Sequence, residues 1–185
     1  MAYAAREGFD MPRVANRYGG GAQTNANGLH FEQTTSLDDA LRRAGYIIKS
    51  CKVYKDDRQI GMSVQKRNLY TMFLEPHGID YRKINSKQWQ PDECFINLEQ
   101  KVAFIIEKKF QNNSGSVDEK LPGCHFKKRE YEKLFHPLGF AVEYLYVFND
   151  WFHDPRYWDT LEYIREMGCH YYFDEIPLDF LKIQE

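Results

Sequence analysis

Residues 91–111 read PDECFINLEQKVAFIIEKKFQ and contain two apolar runs separated by a polar turn. Two such runs around a short polar break are typical of a β-hairpin. We predict a first strand over residues 92–97, a turn over residues 98–100 and a second strand over residues 101–111. Because successive side chains of a strand point to opposite faces, the second strand has two faces. One carries Val102, Phe104, Ile106 and Phe110, and the other carries Ala103, Ile105, Glu107, Lys109 and Gln111.

The second strand is apolar until it reaches Glu107 and Lys109, which share one face. Burying two charged side chains there costs free energy, so we expect them to have a function. If the turn is centred between residues 99 and 100, Asp92 lies directly opposite Glu107, and opposed carboxylates repel each other. A divalent cation between them would relieve that repulsion, and oxygen ligands are those that Mg²⁺ prefers. The backbone carbonyl of Lys108 would complete the protein's share of the ligands.

Such a site can hydrolyse a phosphodiester bond. A metal ion activates water and neutralises charge that grows on the phosphate, while Lys109 holds the nucleophile or a phosphate oxygen. The alternative interpretation is a surface hairpin whose charges form salt bridges, because a D…ExK pattern also occurs by chance. The pattern taken by itself leaves both interpretations open.

Outward from the hairpin, the sequence predicts helices and strands on both sides. Residues 29–44 have helical apolar spacing, and Gly45 stands where a helix C-cap belongs. Residues 46–54 alternate as a strand does, and residues 56–58 follow as a turn. Residues 60–85 fit either state. Beyond the hairpin we predict a capping box at residues 116–119 and a helix over 126–135. A strand over 141–148 follows. A second helix begins at Asp154-Pro155 and runs to residue 167, where Gly168 ends it, and a short strand over 171–173 comes last.

This order predicts an α/β (α+β) fold in which a central mixed sheet is flanked by helices. A chain of 185 residues is long enough for one domain with a sizeable core and short for two. Residues 1–28 are rich in Gly, Ala and Asn, and we interpret them as an N-terminal arm or loop. Residues 29–185 are interpreted as a single domain.

Charge is segregated along the chain, although the net charge is only −2. Residues 41–90 carry eleven Lys or Arg against four acidic residues, a net of +7. Residues 139–185 carry three basic against ten acidic residues, a net of −7. Segregation of this kind suits a protein with one face turned to a polyanion. The alternative is a solvated basic surface that binds nothing.

The four cysteines are scattered with no CxxC pair, so we expect no disulfide framework and a reducing compartment. No apolar run approaches 18 residues, so no membrane span is predicted. Arg6, Glu7 and Asp10 stand where a signal peptide would need an apolar stretch. These observations predict a cytoplasmic protein.

Pro91-Asp92, followed by Glu107-Lys108-Lys109 on an apolar strand, resembles the PD-(D/E)xK nuclease signature. The predicted order of elements over residues 29–148 is similar to the αβββαβ core of that superfamily. Residues 107–131, and the ending VFNDWF…YIREMG…IPL, resemble small type II restriction endonucleases.

The resemblance implies roles for particular residues. Asp92 and Glu107 would be metal ligands, and Lys109 would be the catalytic lysine. It also implies Mg²⁺ as the cofactor and specific double-stranded DNA as the substrate. A homodimer is expected, because palindromic sites are matched by two-fold symmetric proteins. Glu32, on the first predicted helix, is either an additional acid at the metal site or a solvated helix residue.

Several further residues are candidates for contact with the DNA backbone. Gln111 shares the face of Glu107 and either contacts a phosphate or merely ends the strand. A glycine-containing loop and nearby basic residues are the other candidates, with solvated surface as the alternative for the basic ones. These candidates are Asn113, Ser114, Gly115, Ser116, Lys120, Lys127, Lys52, Lys55 and Arg58. Trp89, Trp151 and Trp158 are expected in the core or at an interface rather than as base-stacking platforms.

Three functions compete. The first is a Mg²⁺-dependent type II restriction endonuclease. The second is a structure-specific or repair nuclease with the same core, against which the acidic C-terminal segment argues mildly. The third is a DNA-binding or protein-interaction module that has lost the chemistry, against which the intact set of Asp92, Glu107 and Lys109 argues.

Overall fold

The computed structural model describes residues 28–31, 33–112 and 117–183. Within them, seven strands form one mixed sheet whose spatial order follows the chain. The strands are β1 (Ile47–Lys49), β2 (Lys52–Lys55), β3 (Arg58–Val64), β4 (Glu93–Asn97), β5 (Val102–Lys109), β6 (Ala141–Phe148) and β7 (His170–Phe173). The helices labelled here are α1 (Leu37–Arg43), α2 (Cys124–Phe135) and α3 (Trp158–Glu166). Residues 28–31 and 33–34 are also helical.

The first five strands pair antiparallel, whereas β5, β6 and β7 pair parallel. Parallel neighbours need a crossover connection, and α2 and α3 lie in the two crossovers. The order α1, β3, β4, β5, α2 and β6 confirms the predicted αβββαβ core and the α/β (α+β) class. Strands β1, β2 and β7 extend the sheet at its two edges.

Each face of the sheet is covered by its own hydrophobic core. Ala103 and Ile105 of β5 pack with residues of α2 and of a π-helix at Leu69–Leu74. Val102, Phe104 and Ile106 pack on the opposite face. That second core also contains residues of α1 and of a 3₁₀ helix at Leu178–Leu181. The hairpin is therefore the middle layer of a helix–sheet–helix sandwich, as its alternation predicts.

The predicted hairpin register is confirmed. Asn97 pairs with Val102 and Glu93 with Ile106, so the turn is centred between residues 99 and 100. The Asn97 side chain closes this turn, because its Oδ1 accepts hydrogen bonds from the backbone N–H groups of Glu99 (3.1 Å) and Gln100 (2.9 Å). Asparagine is favoured in turns for this kind of bond.

The helix predicted over residues 29–44 is wrong as a single element, because it is interrupted at Ser36. This residue is extended (φ −61°, ψ 124°) and its side chain accepts a hydrogen bond from Asp39 N at 3.3 Å. Serine is a strong N-cap residue, so a new helix, α1, begins at Leu37. The Leu37 N–H then donates to the Glu93 carboxylate at 3.1 Å, an interaction that a continuous helix would not allow.

The strand predicted over residues 46–54 is likewise divided. Ser50 and Cys51 have positive φ angles of 48° and 66° and form a tight turn between β1 and β2. A two-residue turn of this kind matches the twist of a hairpin. The next predicted turn is confirmed at Asp56 and Asp57, and Arg58 already belongs to β3. The ambiguous residues 60–85 contain the end of β3, the π-helix and two 3₁₀ helices, Glu75–His77 and Tyr81–Lys83.

The C-terminal predictions are largely confirmed. Strand β6 has the predicted bounds, and α2 begins two residues before its prediction. Asp154 caps a 3₁₀ turn that leads into α3, and Gly168 follows with φ 65°. Residues 1–27 and 113–116 lie outside the described residues, and so do most of the predicted arm over residues 1–28 and part of the predicted capping box. No helix among the described residues is long and apolar enough to span a bilayer.

Candidate active site

The hairpin brings the predicted acidic residues to one end of the sheet. Asp92 directly precedes β4, and by the observed register it falls opposite Glu107 near the end of β5. Its Oδ2 accepts a hydrogen bond of 2.8 Å from the backbone N–H of Lys108. This bond ties the Asp92 side chain to the strand that carries the other candidate residues.

The ammonium group of Lys109 lies among three oxygen atoms. It donates to Glu107 Oε2 at 2.8 Å and to the backbone carbonyl of Lys108 at 3.2 Å, and it lies 3.9 Å from Asp92 Oδ2. These oxygens belong to the three groups that the sequence predicts as metal ligands. The structure therefore brings the carboxylates of Asp92 and Glu107 together around the ammonium group of Lys109.

A second lysine contacts the same carboxylate from the helix that packs on this face of the sheet. Lys127, in the first turn of α2, places its Nζ 3.3 Å from Glu107 Oε2. Sequence reasoning named Lys127 only as a contact to the DNA backbone, and its contact with Glu107 was missed. No local sequence pattern indicates this contact, because it depends on how α2 packs on the sheet.

Glu107 is almost completely buried, with 5% of its surface exposed. Buried tyrosines lie below it, and burial raises the pKa of Tyr131 and Tyr144, with a further contribution from the charge of Glu107. The Tyr131 hydroxyl has no hydrogen-bond partner among the described residues. The surroundings of Glu107 are therefore buried and screen charge weakly, which strengthens its interactions with the two lysines.

The opposite face of the hairpin carries a second pair of charges. Glu93 Oε2 lies 3.0 Å from Lys108 Nζ, and the two side chains are only 4% and 6% exposed. Glu93 also accepts hydrogen bonds from Leu37 N and, at 3.2 Å, from Gln65 Nε2. Burial raises the pKa of Glu93, although Lys108 opposes that shift. These partners of Glu93 come from α1 and from the end of β3, which the local sequence does not reveal.

A cleft of about 270 Å³ lies beside the Glu93–Lys108 pair. Its lining includes Asp92, Glu93, Lys108 and Lys66. Lys66 follows the end of β3, and its backbone N–H donates to the Pro91 carbonyl at 2.9 Å. Exposed Lys66 and the neighbouring exposed Arg67 therefore border the candidate site.

The basic candidates on β2 and β3 are distributed over both ends of the sheet. Lys52 pairs with Met62, near the end that carries Asp92. Lys55 and Arg58 flank the turn at the other end, where Arg58 Nη1 lies 3.0 Å from Glu99 Oε1. Since a strand rises about 3.3 Å per residue, Arg58 is roughly 20 Å along β3 from the candidate site. The structure therefore does not bring Lys55 and Arg58 to it.

Gln111 is buried rather than presented to solvent. Its backbone N–H donates to Asn149 Oδ1 at 3.0 Å, and its carbonyl accepts from Asn149 Nδ2 at 2.9 Å. Its side-chain amide has no hydrogen-bond partner among the described residues. Lys120 is exposed on the 3₁₀ helix Asp118–Gly123 that leads into α2. Glu32, Asn113, Ser114, Gly115 and Ser116 lie outside the described residues.

The oxygen atoms at this site are the donors that a hard divalent cation prefers. Over residues 28–31, 33–112 and 117–183, no group of three His, Cys, Asp or Glu side chains could hold one. The protein's share would therefore be the carboxylates of Asp92 and Glu107 and the Lys108 carbonyl. Mg²⁺ commonly binds one or two carboxylates and keeps several waters, so this set fits it.

One comparison with known proteins gives a match. The sequence model of the PD-(D/E)XK nuclease superfamily domain matches residues 23–133, which include the hairpin and most of α2. No curated protein and no solved structure matches the chain.

Proposed function

Because the chain belongs to the PD-(D/E)XK nuclease superfamily, we propose that it is a metal-dependent endonuclease that hydrolyses phosphodiester bonds of double-stranded DNA. Asp92 and Glu107 would hold Mg²⁺ together with the Lys108 carbonyl, and Lys109 would be the catalytic lysine. The proposal extends to site-specific cleavage of the type II restriction kind by a homodimer.

The observation that carries the proposal is the position of the Lys109 ammonium group. It contacts oxygens of Asp92, Glu107 and Lys108, so three donors of the protein already converge on one cation. Opposed carboxylates at a strand end repel each other unless a cation lies between them. A divalent ion would take this place, and the flexible side chain of Lys109 would then be free to turn towards a substrate.

When bound, a divalent ion supplies an activated water and charge neutralisation at the phosphate. The chain's own residues supply the rest. Lys109 would hold the attacking water or donate to a non-bridging phosphate oxygen, which stabilises the charge that develops there. Lys127 would keep Glu107 oriented and add a second positive charge beside the scissile phosphate. The buried tyrosines exclude water below Glu107.

Charge supports DNA as the substrate. Lys52, Lys66 and Arg67 lie at the end of the sheet that carries Asp92. The basic residues beside the site would attract a polyanion towards the catalytic residues.

Incubation of the purified chain with supercoiled plasmid tests the proposal. Discrete fragments in Mg²⁺, and none in EDTA, are the expected result. A smear would exclude sequence specificity but keep the nuclease activity. Uncut plasmid together with a gel shift would overturn the enzymatic proposal in favour of a binding module. Calorimetric titration of Mn²⁺ into the chain and into Asp92→Asn gives an independent readout, because the variant should bind the ion more weakly.

A further inference from the structure

Two aromatic residues form a surface cluster beside the candidate active site. The rings of Trp89 and Phe126 lie 5.7 Å apart at 78°. Phe126 is 54% exposed, although it belongs to the first turn of a helix whose other face is buried. Lys87 places its Nζ 4.1 Å from the centre of the Trp89 ring. One face of the tryptophan is therefore covered by a cation, and the phenylalanine ring faces solvent.

The cluster shares its two backbone segments with the proposed catalytic residues. Trp89 stands three residues before Asp92, and Phe126 directly precedes Lys127. The Trp89 carbonyl accepts a hydrogen bond from the hydroxyl of the buried Tyr70, which anchors this segment to the core. The backbone of Phe126 is therefore one residue from that of Lys127, and the backbone of Trp89 lies within about 11 Å of that of Asp92.

We propose that Phe126, supported by Trp89, is a stacking site for an unpaired nucleobase next to the bond that is cut. The inference rests on the proposed function. Aromatic side chains beside cations are the usual means of holding bases of single-stranded nucleic acid. Lys87 supplies the cation, and the ring of Phe126 supplies an accessible face.

The proposal names a class of substrate. A base inside a regular duplex has both faces covered by its neighbours, so it can stack on Phe126 only after it leaves the helix. The energy needed is least for a base that is bulged, mismatched or already single-stranded. We therefore infer that a base of the duplex next to the cleaved phosphodiester leaves the helix and stacks on Phe126, and that DNA in which this base is already unpaired binds more tightly than the regular duplex.

Fluorescence anisotropy in Ca²⁺ tests this inference on the full chain. The probes are a 20-base-pair duplex, the same duplex with a bulge of two thymines, and a thymine 20-mer. The wild type should bind the bulged and single-stranded probes more tightly than the paired duplex. Phe126→Ala should weaken binding of those two probes roughly tenfold and leave the paired duplex within about twofold. Phe126→Tyr, which keeps a ring, should bind like the wild type.

Trp158→Ala is the matched control, because Trp158 is 72% exposed on α3 and belongs to neither segment. It should change none of the three affinities. A replacement of thymine by 2-aminopurine in the bulge gives a direct readout: its fluorescence should be quenched by the wild type and not by Phe126→Ala. Equal losses on all three probes, or no loss on any, would overturn the inference while plasmid cleavage still supported the proposed function. Failure of the wild type to bind any DNA would overturn both.

Discussion

Glu93 and Lys108 form a buried ion pair, 3.0 Å long, on the face of the hairpin opposite Glu107 and Lys109. The same Glu93 carboxylate accepts a hydrogen bond from the first N–H group of α1. The charged residues of β5 thus alternate between two environments. Lys108 pairs with the carboxylate that binds α1, while its neighbours on either side build the candidate active site.

We expect Glu93→Ala to destabilise the fold strongly, because it removes the carboxylate that is paired with the buried ammonium group of Lys108. Loss of one member of a buried pair lowers the free energy of unfolding by about 3–5 kcal/mol. Urea denaturation would measure this. The double variant Glu93→Leu with Lys108→Met should recover much of the loss, since apolar pairs often replace buried ion pairs well. Glu99→Ala, which breaks an exposed pair, should change stability by less than about 1 kcal/mol.

Glu107→Gln and Lys109→Met should each reduce cleavage at least about 100-fold, because both groups act at the proposed reaction centre. DNA binding in Ca²⁺ should survive in both variants. Single-turnover cleavage together with anisotropy separates the two effects. Lys101→Met, at an exposed position in the turn that precedes β5, is the control and should cut normally. Undiminished cutting by either active-site variant would exclude this assignment of the catalytic residues.

Lys127→Gln distinguishes two roles for this lysine. If it only grips the DNA backbone, the variant should raise Kd and leave the rate at saturating DNA unchanged. Its 3.3 Å contact with Glu107 predicts instead that the single-turnover rate at saturation falls roughly 10- to 100-fold. Lys133→Gln, on the same helix and paired with Glu130, should cut at the normal rate.

Salt dependence should locate the basic surface that contacts DNA. Each phosphate contact contributes about 0.9 to the slope of log Kobs against log salt. The double variant Lys66→Gln with Arg67→Gln, beside the site, should therefore reduce the slope by up to about 1.8. Lys55→Gln with Arg58→Gln removes the same charge at the far end of the sheet and should leave the slope unchanged. A smaller slope for the Lys55 and Arg58 double variant alone would instead place the DNA at the end of the sheet that carries these two residues.

Glu143 gives a prediction for pH. The hydrogen bond between its carboxylate and His170 lowers the pKa of Glu143. The interaction of ionised Glu143 therefore stabilises the fold at pH values above the pKa of this residue in the unfolded chain. This contribution is lost as the pH falls through the lower pKa that Glu143 has in the folded protein. The stability difference between wild type and Glu143→Gln should shrink as pH falls below about 4.5. In a His170→Asn background that pH dependence should largely disappear, as thermal unfolding at several pH values would show.

The hairpin and its two faces could be predicted because they depend on local sequence. A polar turn between apolar runs set the register, and alternation assigned Glu107 and Lys109 to one face. The interruption at Ser36 was not predicted, since apolar spacing continues across it. Its cause is Glu93, which is distant in sequence and supplies the bond that the first N–H of α1 needs.

The environment of the site depended on packing that the sequence does not reveal. The contact between Lys127 and Glu107 requires α2 to lie against the end of β5, and the Trp89–Phe126 cluster requires the same arrangement. The turn at Ser50 and Cys51 contains neither glycine nor asparagine, the residues that usually signal positive φ angles. Local patterns therefore identified the catalytic candidates but not their neighbours.

The parallel pairing of β5 with β6 bears on how the molecule folds. The β4–β5 hairpin joins neighbouring segments of the chain and can form in microseconds. Pairing of β5 with β6 must instead close a loop that contains the whole of α2, and such non-local contacts slow folding. Asp92, Glu107 and Lys109 can thus come together early, whereas Lys127 and Phe126 reach their positions only when the crossover docks. The contacts among Asp92, Glu107 and Lys109 thus depend on the hairpin, whereas those of Lys127 and Phe126 also depend on the docking of the crossover.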